Sequence, residues 1–314
     1  LMYRFLKSQN ADCDYYIPDR ENEGYGISYQ GIDDAIDKGI TLMISLDCGV
    51  KAVEKIAYAQ AKGLDVIICD HHRPGDALPN AHAVLDPKRQ DCDYPFKELC
   101  GCGVGFKLMQ AYLKRQGLDE TIAFEYLDLV AVAIGADIVP IVGENRVLAF
   151  YGLKLLNENP RVGMKALMRE HKSFGAMTIT DVVFTIAPRI NAAGRIKHAH
   201  NAVRLLIEEN KSMAVKTANE IEEYNTERRA HDQRIAKEAL AQIKEHKEEE
   251  TAATVVYHPE WHKGVIGIVA SRLTETYYRP TVVFTKSKGH LAASVRSVKG
   301  FDVYEALEAC KEHI

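Results

Sequence analysis

Asp65-Val66-Ile67-Ile68-Cys69-Asp70-His71-His72 is the stretch on which the reading of this chain turns. Residues 65–69 form a short apolar run, too short for a helix, and are predicted to be a buried strand. The run breaks abruptly at one carboxylate and two imidazoles. Upstream, Thr41-Leu42-Met43-Ile44-Ser45-Leu46 is a second such run, ending at Asp47-Cys48-Gly49. Residues 51–62 between the two have helical spacing and stop at Gly63. Downstream, Ala83-Val84-Leu85 ends at Asp86-Pro87. Apolar strands alternating with helices predict βαβ units and a parallel sheet.

Further along, residues 106–115, 122–136 and 147–157 read as helices covering that sheet. Residues 181–195 contain Pro188 and Gly194 and are expected to be a turn-rich connection. Residues 201 to about 249 read as one or two long charged helices. A new pattern then begins: strand 253–257, helix 267–276, strand 281–284. The expected architecture is α/β, with a parallel-sheet domain over residues 1–185, a connecting motif and long helix over 186–250, and a smaller α/β domain over 251–314. Gly101-Cys102-Gly103-Val104-Gly105 invites a dinucleotide reading, but it follows no clear strand and lacks a spaced acidic partner. It is read as the tight start of a helix.

The length, 314 residues, allows two separate cores, and 46% hydrophobic residues is ordinary for a soluble globular protein. No apolar run approaches the ~20 residues that cross a membrane, and Leu1-Met2-Tyr3-Arg4 opens no signal peptide. Seven cysteines with no C-x-x-C exclude paired zinc knuckles and suggest free thiols in a reducing cytoplasm. Net charge is −4. Its distribution is uneven: Lys263, Arg272, Arg279, Lys286, Lys288, Arg296 and Lys299 face Glu275 alone between Trp261 and Lys299. A local basic face on an acidic protein fits a polyanion groove.

Ligands of open α/β sheets gather at the carboxyl ends of the strands. Asp47 and Asp70-His71-His72 both fall there. Asp137, after the apolar run 129–134 and before Ile138-Val139-Pro140, is an acid in an apolar setting that needs a cation or a strong hydrogen bond. Any one of these could merely cap a helix or hold a turn. Their combination in one βαβ domain points to a divalent ion held by oxygen-rich ligands, Mn²⁺ or Mg²⁺.

With Leu46-Asp47-Cys48-Gly49 before the Asp70-His71-His72 run and Gly135-Ala136-Asp137-Ile138-Val139-Pro140 after it, the chain resembles the DHH phosphoesterase superfamily. Within it the RecJ exonucleases are most similar. The most specific pieces are residues 188–195 (Pro-Arg-Ile-Asn-Ala-Ala-Gly-Arg), residues 261–272 beginning Trp-His-Lys-Gly, and Ser294-Val295-Arg296-Ser297. The resemblance implies a parallel-sheet DHH domain joined by a long helix to a smaller α/β DHHA1 domain. It implies Asp47, His71 and Asp137 as metal ligands, His72 on the scissile phosphate, and Asp70 orienting a histidine. Arg20, Arg189, Asn191, Arg195, Ser294 and Arg296 would bind phosphate, and His262 is either a substrate contact or a core histidine. The implied activity is 5′→3′ hydrolysis of single-stranded DNA by metal-activated water, in recombination and repair. A single-strand-binding protein and a helicase are the implied further partners.

The pattern departs from the family in one place. An earlier D-x-D-x-D-G-like motif is missing, and the only early D-x-D, Asp12-Cys13-Asp14, has the wrong context. The expectation is a fragment that starts just after that motif, stops inside the accessory domain at Ile314 without the C-terminal OB domain, and is weakly active or inactive. Two other readings are a nanoRNase or nucleotide phosphatase of the same superfamily, and a non-catalytic replication scaffold. Leu291-Ala292-Ala293-Ser294 stands where the former carries G-G-G-H.

Overall fold

The computed structural model describes residues 1–20, 22–169, 175–310 and 312; Ile314 lies outside them. Two helices, α1 (Met2–Ser8) and α2 (Tyr29–Asp37), lead into β1 (Leu42–Leu46), α3 (Val53–Ala61), β2 (Asp65–Cys69) and β3 (Ala83–Leu85). The strands form one parallel sheet in the order β1-β2-β3, with Leu46 opposite Cys69 and Cys69 opposite Leu85. The expected parallel sheet is present. Its ladder runs one residue past the strands: Asp47 N–H donates to Cys69 O at 2.8 Å, and Asp70 N–H to Leu85 O at 3.0 Å. Asp47, Asp70 and Asp86 therefore stand in a row along the carboxyl edge. Ile27, Ile32, Ile56, Ala59, Leu64, Val66 and Ile68 form a buried core around β2 and the helices beside it.

Next come α4 (Gly101–Arg115), a 3-10 helix (Glu120–Tyr126), α5 (Leu127–Asp137), α6 (Gly143–Glu158) and α7 (Val162–Met168). Residues 122–136 are thus two elements where one helix was expected. Helices α5 and α6 pack so closely that a Cβ on Gly152 would lie 2.1 Å from Leu127 O and 2.6 Å from Ala131 Cβ. Residues 181–195 are helical, not turn-rich: α8 (Ile179–Asp181), a π-helical stretch (Val182–Ile186) and α9 (Ala187–Ile196) follow one another. Pro188 cannot donate an N–H to the preceding turn, and the wide π turn before it accommodates that loss. A capping box between Thr178 and Asp181 starts the run.

Helix α10 (His200–Ile207) precedes the 35-residue α11 (Lys211–Glu245). The fold divides into two compact units, Leu1–Gly194 with His198–Ile221, and Arg195–Lys197 with Glu222–Ile314. The second unit holds β4 (Thr254–Tyr257), α12 (Ile266–Tyr277), β5 (Thr281–Ser287), β6 (His290–Arg296) and α13 (Val303–Ala309). Its sheet pairs β4 with β5 in parallel and β5 with β6 antiparallel. The β5–β6 turn places Lys288 at φ 50° and Gly289 at φ 84°, the two-residue left-handed turn that closes a hairpin. Trp261, Val265, Val269, Leu273, Ile243 and Val283 are among its buried core residues. Among the described residues, no helix is long and apolar enough to cross a membrane.

Candidate metal centre and phosphate-binding residues

The first unit's sheet edge and the end of α5 bring together five of the residues singled out in the sequence. His71 Nε2 lies 3.0 Å from Asp47 Oδ1 and 3.1 Å from Asp137 Oδ2. Neither approach has hydrogen-bond alignment, and Asp47 Oδ1 and His71 Nε2 are buried without a hydrogen-bond partner. Buried polar atoms are almost always bonded. Donor atoms that crowd one point without aiming at one another are arranged as a cation would arrange them. By distance alone, Asp47, His71 and His72 also form a group whose ligand atoms lie within 4.8 Å of one another.

Backbone geometry holds each side chain. Asp47 ends β1 at φ 65°, a left-handed conformation that costs a non-glycine residue about 1–3 kcal/mol. Gly101, the first residue of α4, touches it: a Cβ there would sit 2.5 Å from Asp47 Oδ1 and 2.6 Å from its Cα. The glycine-rich 101–105 segment is a helix start, as read, and Cys100 Sγ caps it by accepting from Gly103 N–H. Asp137 is the last residue of α5, followed by Ile138 at φ 57°. A carboxylate at a helix C-terminus faces the negative end of the helix dipole, so this position favours a nearby cation.

Asp70 is 1% exposed and serves as an acceptor hub. It receives Val50 N–H at 2.9 Å, His71 N–H at 2.8 Å and His72 N–H at 3.3 Å, and it holds His72 Nδ1 at 2.7 Å. Burial pushes its carboxyl up, but these bonds outweigh it and hold the pKa below the ordinary value. For His71, burial pushes the imidazole down, while Asp47 and Asp137 outweigh it and raise the net value. Asp137 is raised by burial first and by the like charge of Asp47.

Two nearby residues were not singled out in the sequence. Tyr25 makes an edge-on contact with His72, ring centroids 6.5 Å apart, and Arg20 lies over its other side at 5.4 Å. Asp86 follows β3 and is 3% exposed. Its position after an apolar run was a visible signal; Pro87 made it look like an ordinary turn.

The remaining expected residues are spread over both units. Arg189 is buried on α9 and donates to Thr185 O at 2.6 Å, while Asn191 is exposed. Gly194 lies within α9, so no glycine turn flanks these residues. In the second unit, Arg195 donates to Gly264 O at 3.0 Å. His262 Nδ1 accepts from Gly264 N–H at 3.1 Å, and its ring lies 5.2 Å from that of His231. Ser294 and Arg296 on β6 meet the first turn of α12: a Cβ on Gly267 would lie 3.1 Å from Ser294 Oγ and 3.2 Å from Arg296 Nη2.

Comparison with known proteins identifies the family. The DHH family N-terminal domain matches residues 1–134, and the DHHA1 domain matches residues 249–313. The single-stranded-DNA-specific exonuclease RecJ of Bacillus subtilis is 40% identical over 99% of this chain and 39% of its own length. That of Escherichia coli is 37% identical over 95% of this chain and 54% of its own. The chain thus spans about half the length of the curated relatives it matches. A crystal structure of exonuclease RecJ bound to manganese superposes with a TM-score of 0.83 at 33% identity, covering 98% of this chain and 76% of that one. On these matches the chain belongs to the DHH/DHHA1 family, among the RecJ proteins.

Proposed function

We propose that this chain carries the catalytic core of an exonuclease that hydrolyses phosphodiester bonds of single-stranded DNA from the 5′ end with Mn²⁺ or Mg²⁺. The observation that carries the proposal is the off-line approach of two carboxylate oxygens to one imidazole nitrogen, Asp47 Oδ1 at 3.0 Å and Asp137 Oδ2 at 3.1 Å from His71 Nε2. The donor set, two carboxylates and one imidazole, suits a hard divalent ion. When bound, the ion supplies Lewis acidity toward a phosphoryl oxygen and a lowered pKa for the attacking water.

The chain's own groups do the rest. Asp70 grips His72 Nδ1 and so turns Nε2 toward the substrate, where the ring in its charged form donates an N–H as negative charge builds on the phosphoryl oxygens. Arg20 and Tyr25 offer a cation and a ring face beside His72. Ser294 and Arg296, at the N-terminal turn of α12, offer a hydroxyl, a guanidinium fork and helix N–H groups to a terminal phosphate. Three protein ligands for one ion fall short of a two-ion clamp, so digestion by the 314-residue chain is proposed to be slow. The 5′→3′ direction, a role in recombination and repair in the cytoplasm, and work beside a single-strand-binding protein and a helicase belong to the same proposal, supported by the likeness to RecJ.

The test compares Mn²⁺-dependent turnover of a long 5′-phosphorylated single strand with that of a dinucleotide, alongside Mn²⁺ binding. Slow turnover of the long strand, lost in Asp137→Asn, is the expected result. Preference for the dinucleotide would move the chain to the nanoRNase reading, and failure to bind Mn²⁺ would sink the metal centre.

A further inference from the structure

The metal-centre reading leaves two buried polar atoms at the sheet edge unexplained. His71 Nδ1 and Asp86 Oδ2 are both buried and neither has a hydrogen-bond partner. Buried polar atoms are almost always bonded, so two unpaired ones beside one site call for a reason. They sit on adjacent strand ends: β2 and β3 are paired up to Cys69 and Leu85, and Asp70 N–H still bonds Leu85 O at 3.0 Å.

The other acids of the edge are already engaged. Asp47 and Asp137 face Nε2 of His71, the opposite ring nitrogen. Asp70 accepts three backbone N–H groups and the His72 ring. Asp86 uses one oxygen, accepting Lys88 N–H at 2.8 Å, and keeps the other unpaired at 3% exposure. His71 and Asp70 are both near enough for their charges to act on the Asp86 carboxyl.

We propose that Asp86 is a positioning residue of the metal centre, which holds the Nδ1–H of His71 through one bridging water and so leaves Nε2 bare for the ion. The inference rests on His71 being a ligand. A metal-binding imidazole whose second nitrogen is held by an acceptor is fixed in tautomer and ring orientation, and losing such a partner typically weakens the metal 10- to 100-fold. Buried polar atoms without a protein partner are where structural waters sit.

The experiment uses the full chain and two variants, Asp86→Ala and Asp86→Asn. Asn keeps the oxygen that accepts Lys88 N–H but puts an amide donor where Oδ2 stands. Mn²⁺ affinity is measured by calorimetry, and the His71 tautomer by ¹⁵N NMR of the metal-free protein at a pH above the raised imidazole value, where the ring is neutral. The expected results are an Nδ1–H tautomer in the parent and about 10- to 100-fold weaker Mn²⁺ binding in Asp86→Ala. That variant should also give a mixed tautomer, and Asp86→Asn should show the same two losses with the turn to Lys88 intact. If Asp86→Ala fails to fold, the parent tautomer and the Asn variant still decide. An Nε2–H tautomer in the parent, or unchanged affinity and tautomer in Asp86→Ala, overturns the proposal. A parent chain that binds no Mn²⁺ overturns the metal-centre reading instead.

Discussion

Gly101 shows how narrowly one residue controls the candidate metal centre. Its missing Cβ is the space that Asp47 occupies, 2.5 Å from Oδ1 and 2.6 Å from Cα. Gly101→Ala must push backbone, and overpacking of this kind costs about 1–3 kcal/mol. A displacement approaching 1 Å at the site costs about 100-fold in turnover. Thermal melting and Mn²⁺-dependent hydrolysis should show both losses, and a variant with parental Mn²⁺ affinity would contradict the contact. The His71 imidazole sets the pH response. Its pKa is raised above 6.5, so in the metal-free chain the charged ring between two carboxylates stabilises the fold fully below 6.5. That contribution is lost as pH rises through the raised value. A cation needs the neutral ring, so Mn²⁺ affinity should climb across the same window with release of a proton. Asp137→Asn removes one opposing charge and should move the midpoint down. Calorimetry in buffers of different ionisation heat reads this, and an unmoved midpoint would remove Asp137 from the His71 environment. Asp47, Asp70, His71, His72 and Asp137 were legible because each is a polar interruption of an apolar pattern. The demand on Gly101 and the place of Tyr25 beside His72 were not, since both arise from approaches between distant segments.

Among the elements, the α5–α6 pair positions Asp137, because that residue ends α5. Gly152 lets the two helices touch, with its backbone against Leu127 O. Gly152→Ala should force them apart and destabilise the fold by about 1–3 kcal/mol. Urea unfolding measures that, and a midpoint equal to the parent's would mean the helices part freely. Asp137 should shift with them, so Mn²⁺ binding ought to weaken in the same variant. Strands β1, β2 and β3 were legible because apolar runs bounded by Gly, Asp and Pro have one simple reading. The helix through Pro188 was not: a proline and a glycine punctuate most sequences, and only the π turn before Pro188 lets the helix continue. Strand β6 escaped notice because most of its side chains are exposed or half-exposed, so its apolar alternation is weak.

At the scale of the whole molecule, the division into two units has a spectroscopic consequence. The chain has one tryptophan, Trp261, buried at 3% exposure in the second unit and donating to Glu238 Oε2 at 2.7 Å. The candidate metal centre lies in the first unit. A ligand at 100 times its dissociation constant stabilises the state it binds by about 2.7 kcal/mol. Mn²⁺ should therefore raise the far-ultraviolet circular dichroism transition of the first unit and leave the Trp261 fluorescence transition where it was. Equal shifts by both probes would mean that the two units unfold as one. The row of strand-end aspartates, finally, imposes an order of events. Carboxylates gathered along one sheet edge repel a polyanion, and a divalent cation bound among them offsets much of that charge. On the proposed function, loading comes before capture of the strand, so a chelator acts as a bolt on the door and not as a brake on the chemistry.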